Sequence, residues 1–477
     1  MRASATAADI ARAVAGRQTS ARAVVEAALS RIAHHNERLG AFTDVTSRRA
    51  LAKADAVDEA IIGGAKAGPL AGVPFAVKNL FDVEGVVTRA GSKINRDNPP
   101  ATADATIVAK LEAAGAILVG TLNMGEYAYD FTGENLHDGP ARNPHNLDHM
   151  TGGSSSGSAA AVAGGLVPLT LGSDTNGSIR VPAALCGLFG LKPTYGRLSR
   201  AGTFPFVASL DHVGPLARSA RDLALAYDAM QGFDEADPAQ TKRPYEPTDA
   251  RLRHPIPGVR IGIAAGYFAG DGDVQAHVSH VAKALEAARL VTIPDAQAAR
   301  AAAFVITMAE GGALHLDRLR ERPDDFDPEV RDRLIAGAML PAAWVQNAQK
   351  LRRHFRDRVL PLFEDVDAIL APATPMAAPK IGQKTARFGG IDMPIRPNLG
   401  IYTQPLSFIG LPVISVPVWL PGKGLPMGVQ IIAAPWREDI CLRIANQLEQ
   451  AGVVSASVAP AFAEDSRPAP KAASPAT

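Results

Sequence analysis

Two serine-bearing segments stand out in the first half of the chain: Gly152–Ser158 (GGSSSGS) and Ser173–Arg180 (SDTNGSIR), which set Ser154 and Ser178 24 residues apart with Lys78 upstream. A serine attacks an amide carbonyl only when a base removes its proton, and neither segment contains a histidine, so lysine is the candidate base. An exposed lysine, with a pKa near 10.4, is protonated at neutral pH, whereas burial lowers it by several units. Lys78, Ser154 and Ser178 are therefore the candidate catalytic triad. If Ser154 stands between the other two, its hydroxyl, which both donates and accepts, relays a proton from Ser178 to Lys78. Gly152 and Gly153 supply the backbone freedom that an unusual conformation at Ser154 requires. The run Ser173–Ser178 is expected to turn sharply through Gly177. Such a turn aims the backbone N–H groups of Thr175, Asn176 and Gly177 into one hollow, an oxyanion hole in which each donor is worth roughly 3–4 kcal/mol of barrier.

Other chemistries fit less well. A serine- and glycine-rich run alone reads as a flexible loop, and it is the pairing with the second segment that gives it weight. Gly153–Gly157 also matches GxSxG, which would make Ser155 the nucleophile of an α/β-hydrolase esterase, but no good strand precedes it. The P-loop lysine is missing and no GxGxxG opens a helix after a strand, so nucleotide binding is unsupported. His34-His35 and His277-x-x-His280 lack the HExxH pattern and are read as solvated helix faces; no metal site and no organic cofactor is expected.

The elements that must position the triad follow from the apolar pattern. Val73–Val77 reads as a strand that delivers Lys78 to a sheet edge. Further short apolar runs, Ala116–Val119, Leu166–Leu171, Val259–Ile263, Val366–Leu370, Val413–Val416 and Met427–Ile432, read as strands buried on both faces. Alternation of such strands with helical stretches implies an α/β fold, a central mixed sheet covered by helices on both faces. Residues 1–65 read as an N-terminal helical arm: Ala7–Ala15, a break at Gly16, then a second helix capped by Thr19-Ser20. Residues 66–455 form the expected catalytic domain, and the Ala-, Pro- and Ser-rich segment 456–477 is expected to be disordered. The Asp-, Pro- and Arg-rich stretch from Gln231 to Pro257 reads as a surface crossing between two halves of the sheet, not as a domain boundary.

Composition narrows the partners. The 477 residues are 47% hydrophobic and 20% charged, ordinary values for a globular enzyme. With 49 basic and 48 acidic side chains the net charge is +1, too small to gather polyanions, so no direct nucleic-acid partner is expected. No stretch reaches membrane-spanning length, the N-terminus has no apolar secretory core, and two cysteines, Cys186 and Cys441, are too few for a disulfide framework. A cytoplasmic protein with buried, reduced thiols is expected.

These residues strongly resemble the amidase signature family. The matching runs are Gly72–Asn79, Gly152–Ser158, Gly172–Pro182, Cys186-Gly187, Gly190–Arg197 and Ser209–Pro215, and similarity extends from about residue 5 to 450. The resemblance implies that Lys78 is the general base, Ser154 the serine after a cis peptide bond and Ser178 the acyl-forming nucleophile. Two positions depart from the family pattern: Asn176 and Ser156 stand where glycine is usual. The wording of Gly202–Phe206 and Leu223–Gly232 looks most like the branch of bacterial 1-carboxybiuret hydrolases of cyanuric acid degradation. The branch of glutamyl-tRNA(Gln) amidotransferase A-type chains is next. Both branches act on small carboxylate-bearing amides with release of ammonia, and both resemble proteins that work with a small helical accessory protein, like the C-type chain of the amidotransferase. A homodimer or a heterotetramer is the implied assembly. Arg333, in Pro328–Arg333, resembles the branch's substrate-binding arginine, and a guanidinium suits a carboxylate; the competing reading is a solvated helix face with Glu329 and Arg333 paired at i,i+4. Tyr129, Asp130 and Tyr402 are further candidates for the substrate pocket, each with a structural role as the alternative.

Overall fold

The computed structural model describes residues 2–388 and 390–463. Among the described residues thirteen strands run in chain order as β1 (Phe42–Val45), β2 (Pro74–Lys78), β3 (Ile117–Leu122), β4 (Leu169–Asp174), β5 (Phe189–Lys192), β6 (His212–Ala217), β7 (Ile261–Ala265), β8 (Arg289–Thr292), β9 (Ala368–Pro372), β10 (Thr385–Phe388), β11 (Ile391–Pro394), β12 (Val413–Val418) and β13 (Met427–Ala433). Eleven of them make one mixed sheet in the order β1-β3-β2-β4-β6-β5-β12-β13-β9-β7-β8, while β10 and β11 form a separate hairpin. Every residue of β2 to β6, β9, β12 and β13 is buried, so the central sheet is covered on both faces. Helices pack on these strands, among them Ser156–Ala163 on β4 and Arg180–Leu185 on β5, β12 and β13.

Each apolar run singled out in the sequence overlaps a strand. Sequence periodicity gave no sign of β5 and β6. β5 has only four residues and carries Gly190, and β6 is interrupted by Gly214 and Pro215, so neither shows a strand's composition. Edge strand β8 is mostly exposed and lacks the apolar signal. The stretch 231–257 leads from β6 and its following helix to β7, between the two halves of this single sheet.

The N-terminal segment is part of the sheet as well as helical. Thr6 caps Ala7–Ala15 through a reciprocal box with Asp9, and Ser20 caps Ala21–Leu39. The chain then enters β1, which pairs antiparallel with β3. The backbone N–H groups of Ala7 and Ala8 donate to the Asp222 carboxylate at 2.9 Å, so the first helix is fastened to the body of the molecule. At the other end Val458, Ala459 and Phe462 are buried, so residues 456–463 of the expected tail pack against the fold; residues 464–477 lie outside the described residues. His35 and His277 are also buried rather than solvated. His35 meets the edge of Phe462, and His277 Nδ1 bonds the Asp273 carbonyl at 2.5 Å. Both cysteines are buried and unpaired, and burial raises their thiol pKa values.

Candidate active site

β2 runs parallel to β4 with Val77 opposite Leu171, so Lys78 and the end of β4 leave the sheet on the same side. Lys78 is fully buried, and its Nζ lies 2.6 Å from Ser154 Oγ and 2.9 Å from Ser173 Oγ. Burial pushes the Lys78 ammonium down to about 7, against the pull of the Asp211, Asp174 and Asp130 carboxylates. An amine in that range is neutral in a large fraction of molecules at neutral pH and can take a proton.

Ser154 follows a cis peptide bond from Gly153. Its segment is clamped on both sides: Gly153 N–H donates to the Phe131 carbonyl, Gly125 N–H donates to the Ser154 carbonyl at 3.1 Å, and Ser155 N–H donates to the Ser178 carbonyl at 3.3 Å. A β-carbon on Gly153 would come within 2.8 Å of the Asp130 carboxylate and the Gly133 nitrogen, so close packing excludes a side chain there. Ser155 Oγ donates to the Ser173 carbonyl and accepts from the Ser173 N–H, bracing β4. The GxSxG serine is thus a structural brace, not an exposed nucleophile.

The second segment is held by a buried ion pair. Arg180 Nε and Nη2 each donate to the Asp174 carboxylate at 3.0 Å, closing the turn that carries Ser178. Burial raises the Asp174 pKa on its own, but the Arg180 charge and hydrogen bonds hold it well below the usual carboxylate range. Arg180 also reaches Gln430 on β13 at 2.7 Å and Ser407, so the turn is tied across both halves of the sheet. Within the turn the positive φ, 143°, falls on Gly177 and not on Asn176. A β-carbon on Gly177 would sit 2.1 Å from Thr403 Oγ1, which itself donates to the Asn176 carbonyl. Ser156, the other departure from the family pattern, opens the helix Ser156–Ala163 and bonds the Asn123 carbonyl.

Ser178 opens into a narrow cleft that Tyr129, Asp130, Asn176, Arg333 and Gln404 also line. Among the described residues its hydroxyl makes no hydrogen bond. Thr175 is anchored by its hydroxyl to Asp211 at 2.6 Å. Arg333 is half-buried and turned into the cleft: its guanidinium stacks 3.8 Å above the Tyr129 ring, Nε donates to the Glu329 backbone carbonyl and Nη2 to the Tyr129 carbonyl. The Glu329 carboxylate pairs instead with Arg396 and Lys384, so the i,i+4 Glu329–Arg333 ion pair does not form. Asp130 spends its carboxylate on the N–H groups of Thr132 and Gly133, the Thr132 hydroxyl and Arg396. Tyr402 lies apart from the cleft, its ring against Tyr267 and Phe268.

Sequence reasoning passed over Ser173, the Asp174–Arg180 pair and Asp211, although the first three lie within the second serine segment. Opposite charges six positions apart across a glycine turn are a readable sign of a clasp. Thr307, Thr403 and Gln404 come from distant helical stretches with no local signature.

Comparison with known proteins places these features in a family. The chain is 54% identical over 449 residues to AtzE, a chain of 1-carboxybiuret hydrolase from Pseudomonas sp. (strain ADP), covering 93% of this chain and 98% of that one. It is 40% identical to the A-type chain of glutamyl-tRNA(Gln) amidotransferase from Azotobacter vinelandii, over 94% of this chain and 97% of that one. A solved structure of a vestigial protein complex that bears on the evolutionary origins of an s-triazine catabolic enzyme superposes with a TM-score of 0.94 at 53% identity, covering 95% of this chain and 100% of that one. The family model described as Amidase matches residues 23–442, and with it the chain belongs to the amidase family.

Proposed function

We propose that the protein hydrolyses the terminal amide of 1-carboxybiuret through an acyl-enzyme on Ser178, with Lys78 as general base acting through Ser154. The observation that carries this reading is the buried Lys78 amine, 2.6 Å from Ser154 and poised near neutral pH. Neutral Lys78 takes the Ser154 proton as Ser154 takes the Ser178 proton, and Ser178 Oγ bonds to the carbonyl carbon. The contact between the two hydroxyls closes as substrate is seated, as catalytic hydrogen bonds commonly do. The oxyanion is met by the backbone N–H groups of Thr175, Asn176 and Gly177. Lys78 returns the proton through Ser154 to the departing nitrogen, the C–N bond breaks and ammonia leaves. Water then enters by the same relay and frees the new carboxylate.

The cleft's charges favour this substrate over glutamine. Arg333, whose Nη1 makes no hydrogen bond among the described residues, offers a cation to a carboxylate. Asp130 is the one carboxylate among the lining residues and its oxygens are already engaged, which leaves no free carboxylate on the wall to pair with an α-ammonium. The similarity to A-type amidotransferase chains and to a protein solved within a complex supports a small helical accessory protein as partner, in a heterotetramer or beside a homodimer. Two unpaired buried thiols suit the cytoplasm, and among the described residues no helix is long and apolar enough to cross a membrane.

The deciding experiment follows ammonia from carboxybiuret, generated in situ by a cyanuric acid ring-opening enzyme, with this protein and with Ser178→Ala. Rapid release lost in the variant supports nucleophile and substrate together. No release, with glutamine hydrolysed once the amidotransferase partner chains are added, would assign the protein to tRNA-dependent amidation.

A further inference from the structure

Three buried polar atoms on the wall of the Ser178 cleft lack a hydrogen-bond partner among the described residues: Gln404 Nε2, Asn176 Oδ1 and the Tyr129 hydroxyl. Their residues are respectively 0%, 7% and 5% exposed. An unpaired buried polar group loses its hydration with nothing in return, so three around one cleft are a poor way to build a core and a good way to build a binding site.

Gln404 is the best defined of them. Its Oε1 accepts from Arg300 Nε at 2.8 Å, and a guanidinium only donates, so the carboxamide orientation is fixed and Nε2 is the group left over. Arg300 is itself held, with Nη2 donating to the Pro397 carbonyl and Asn398 Oδ1. Asn176 Nδ2 lies 2.9 Å from Thr307 Oγ1, a hydroxyl that donates as well as accepts and so fits either orientation of the Asn176 carboxamide. The cleft therefore presents a fixed donor at Gln404 and, at Asn176, a second polar group that can meet either half of an –NH–CO– unit. Carboxybiuret has such units between its two ends. Glutamine has two methylenes next to its amide carbonyl, where carboxybiuret has an N–H and a further C=O.

We infer that Gln404 is a specificity-determining residue whose amide N–H groups bind a second oxygen of the substrate, beyond the scissile carbonyl, with Arg300 as its positioning residue. The inference rests on the reading of Ser178 as the centre of an acyl-transfer cleft and deepens it. It makes the ureido backbone of the substrate, and not only its carboxylate, a feature the cleft selects.

The test reads binding apart from turnover. In the Ser178→Ala protein, the dissociation constant of biuret is measured by calorimetry, alone and with Gln404→Leu or Gln404→Glu added; glutamate keeps the shape and the Arg300 contact but replaces the donor by an acceptor. Both are expected to weaken biuret at least tenfold with thermal unfolding little changed. In the protein with Ser178 intact, Gln404→Leu is expected to raise KM for carboxybiuret tenfold while kcat falls less than threefold. Arg300→Lys should shift KM in the same direction. Biuret binding within twofold of the parent in both Gln404 variants, or no binding of biuret by the parent, would overturn the inference. Failure of the wild type to release ammonia from carboxybiuret would instead sink the substrate proposal, leaving the biuret constants to decide on Gln404.

Discussion

In the proposed mechanism Lys78 serves as a base because its surroundings withhold water, and that makes it testable by pH. With the amine near 7, kcat/KM for amide hydrolysis is expected to rise across pH 6–8 along a limb governed by Lys78. Lys78→Ala should abolish turnover while leaving circular dichroism and thermal unfolding near the parent's. Activity that survives Lys78→Ala and disappears with a chelator would refute the relay. Stability carries the same signature. The folded pKa lies below lysine's ordinary 10.5, so between about pH 7 and 10.5 the unfolded chain binds the extra proton. Wild-type stability relative to Lys78→Met should therefore rise with pH over that interval in denaturant titrations. Arg333→Ala is expected to raise KM tenfold or more for carboxylate-bearing amides and little for neutral ones; an equal effect on both would make Arg333 structural. At this scale the sequence was most readable where chemistry is concentrated in short runs. The contact of Lys78 with Ser154 follows from residue types in short runs, whereas Arg333, which lines the same cleft as Ser178, is singled out by family resemblance. Gln404 could not be named, because a buried glutamine has the composition of any helix end until Arg300 is seen to orient it.

The turn between β4 and the helix Arg180–Leu185 shows how an element holds such residues. Asp174→Asn leaves Arg180 buried beside a weaker partner and should cost about 3–5 kcal/mol, read as a large fall in the unfolding midpoint. Gly177→Ala must push its new methyl into Thr403 and twist a positive φ, so turnover should fall at least a hundredfold even in protein that remains folded. Strand positions were legible where apolar runs are long. They were hidden where Gly190, Gly214 and Pro215 interrupt β5 and β6, whose pairing in the middle of the sheet comes from neighbours far away in sequence.

For the molecule as a whole, one sheet of eleven strands and a clasp from Arg180 to β13 join the N-terminal and C-terminal halves. Loss of activity and loss of near-ultraviolet dichroism are expected to coincide in one denaturant transition; separate midpoints would show that the halves melt independently. The chain's ends belong to this unit. Phe462 packs against His35 with the Arg38 guanidinium 5.0 Å from its ring, and Phe462→Ala should cost about 3–5 kcal/mol in the same titration. The stretch 456–463 escaped sequence reading because its Ala- and Pro-rich composition says nothing of the place beside His35 and Arg38 where one aromatic ring packs.

The order in which the cleft is assembled along the chain also bears on how such a protein changes over generations. The proposed reactive trio falls within residues 78–178, together with Tyr129 and Asn176 of the cleft wall, whereas Arg300, Arg333 and Gln404 all come after residue 296. The proposed bond-breaking groups and the cleft's guanidinium and glutamine thus occupy separate stretches of one gene. Mutations in the second stretch can exchange one nitrogen source for another without passing through an ancestor that has lost its reactive serine.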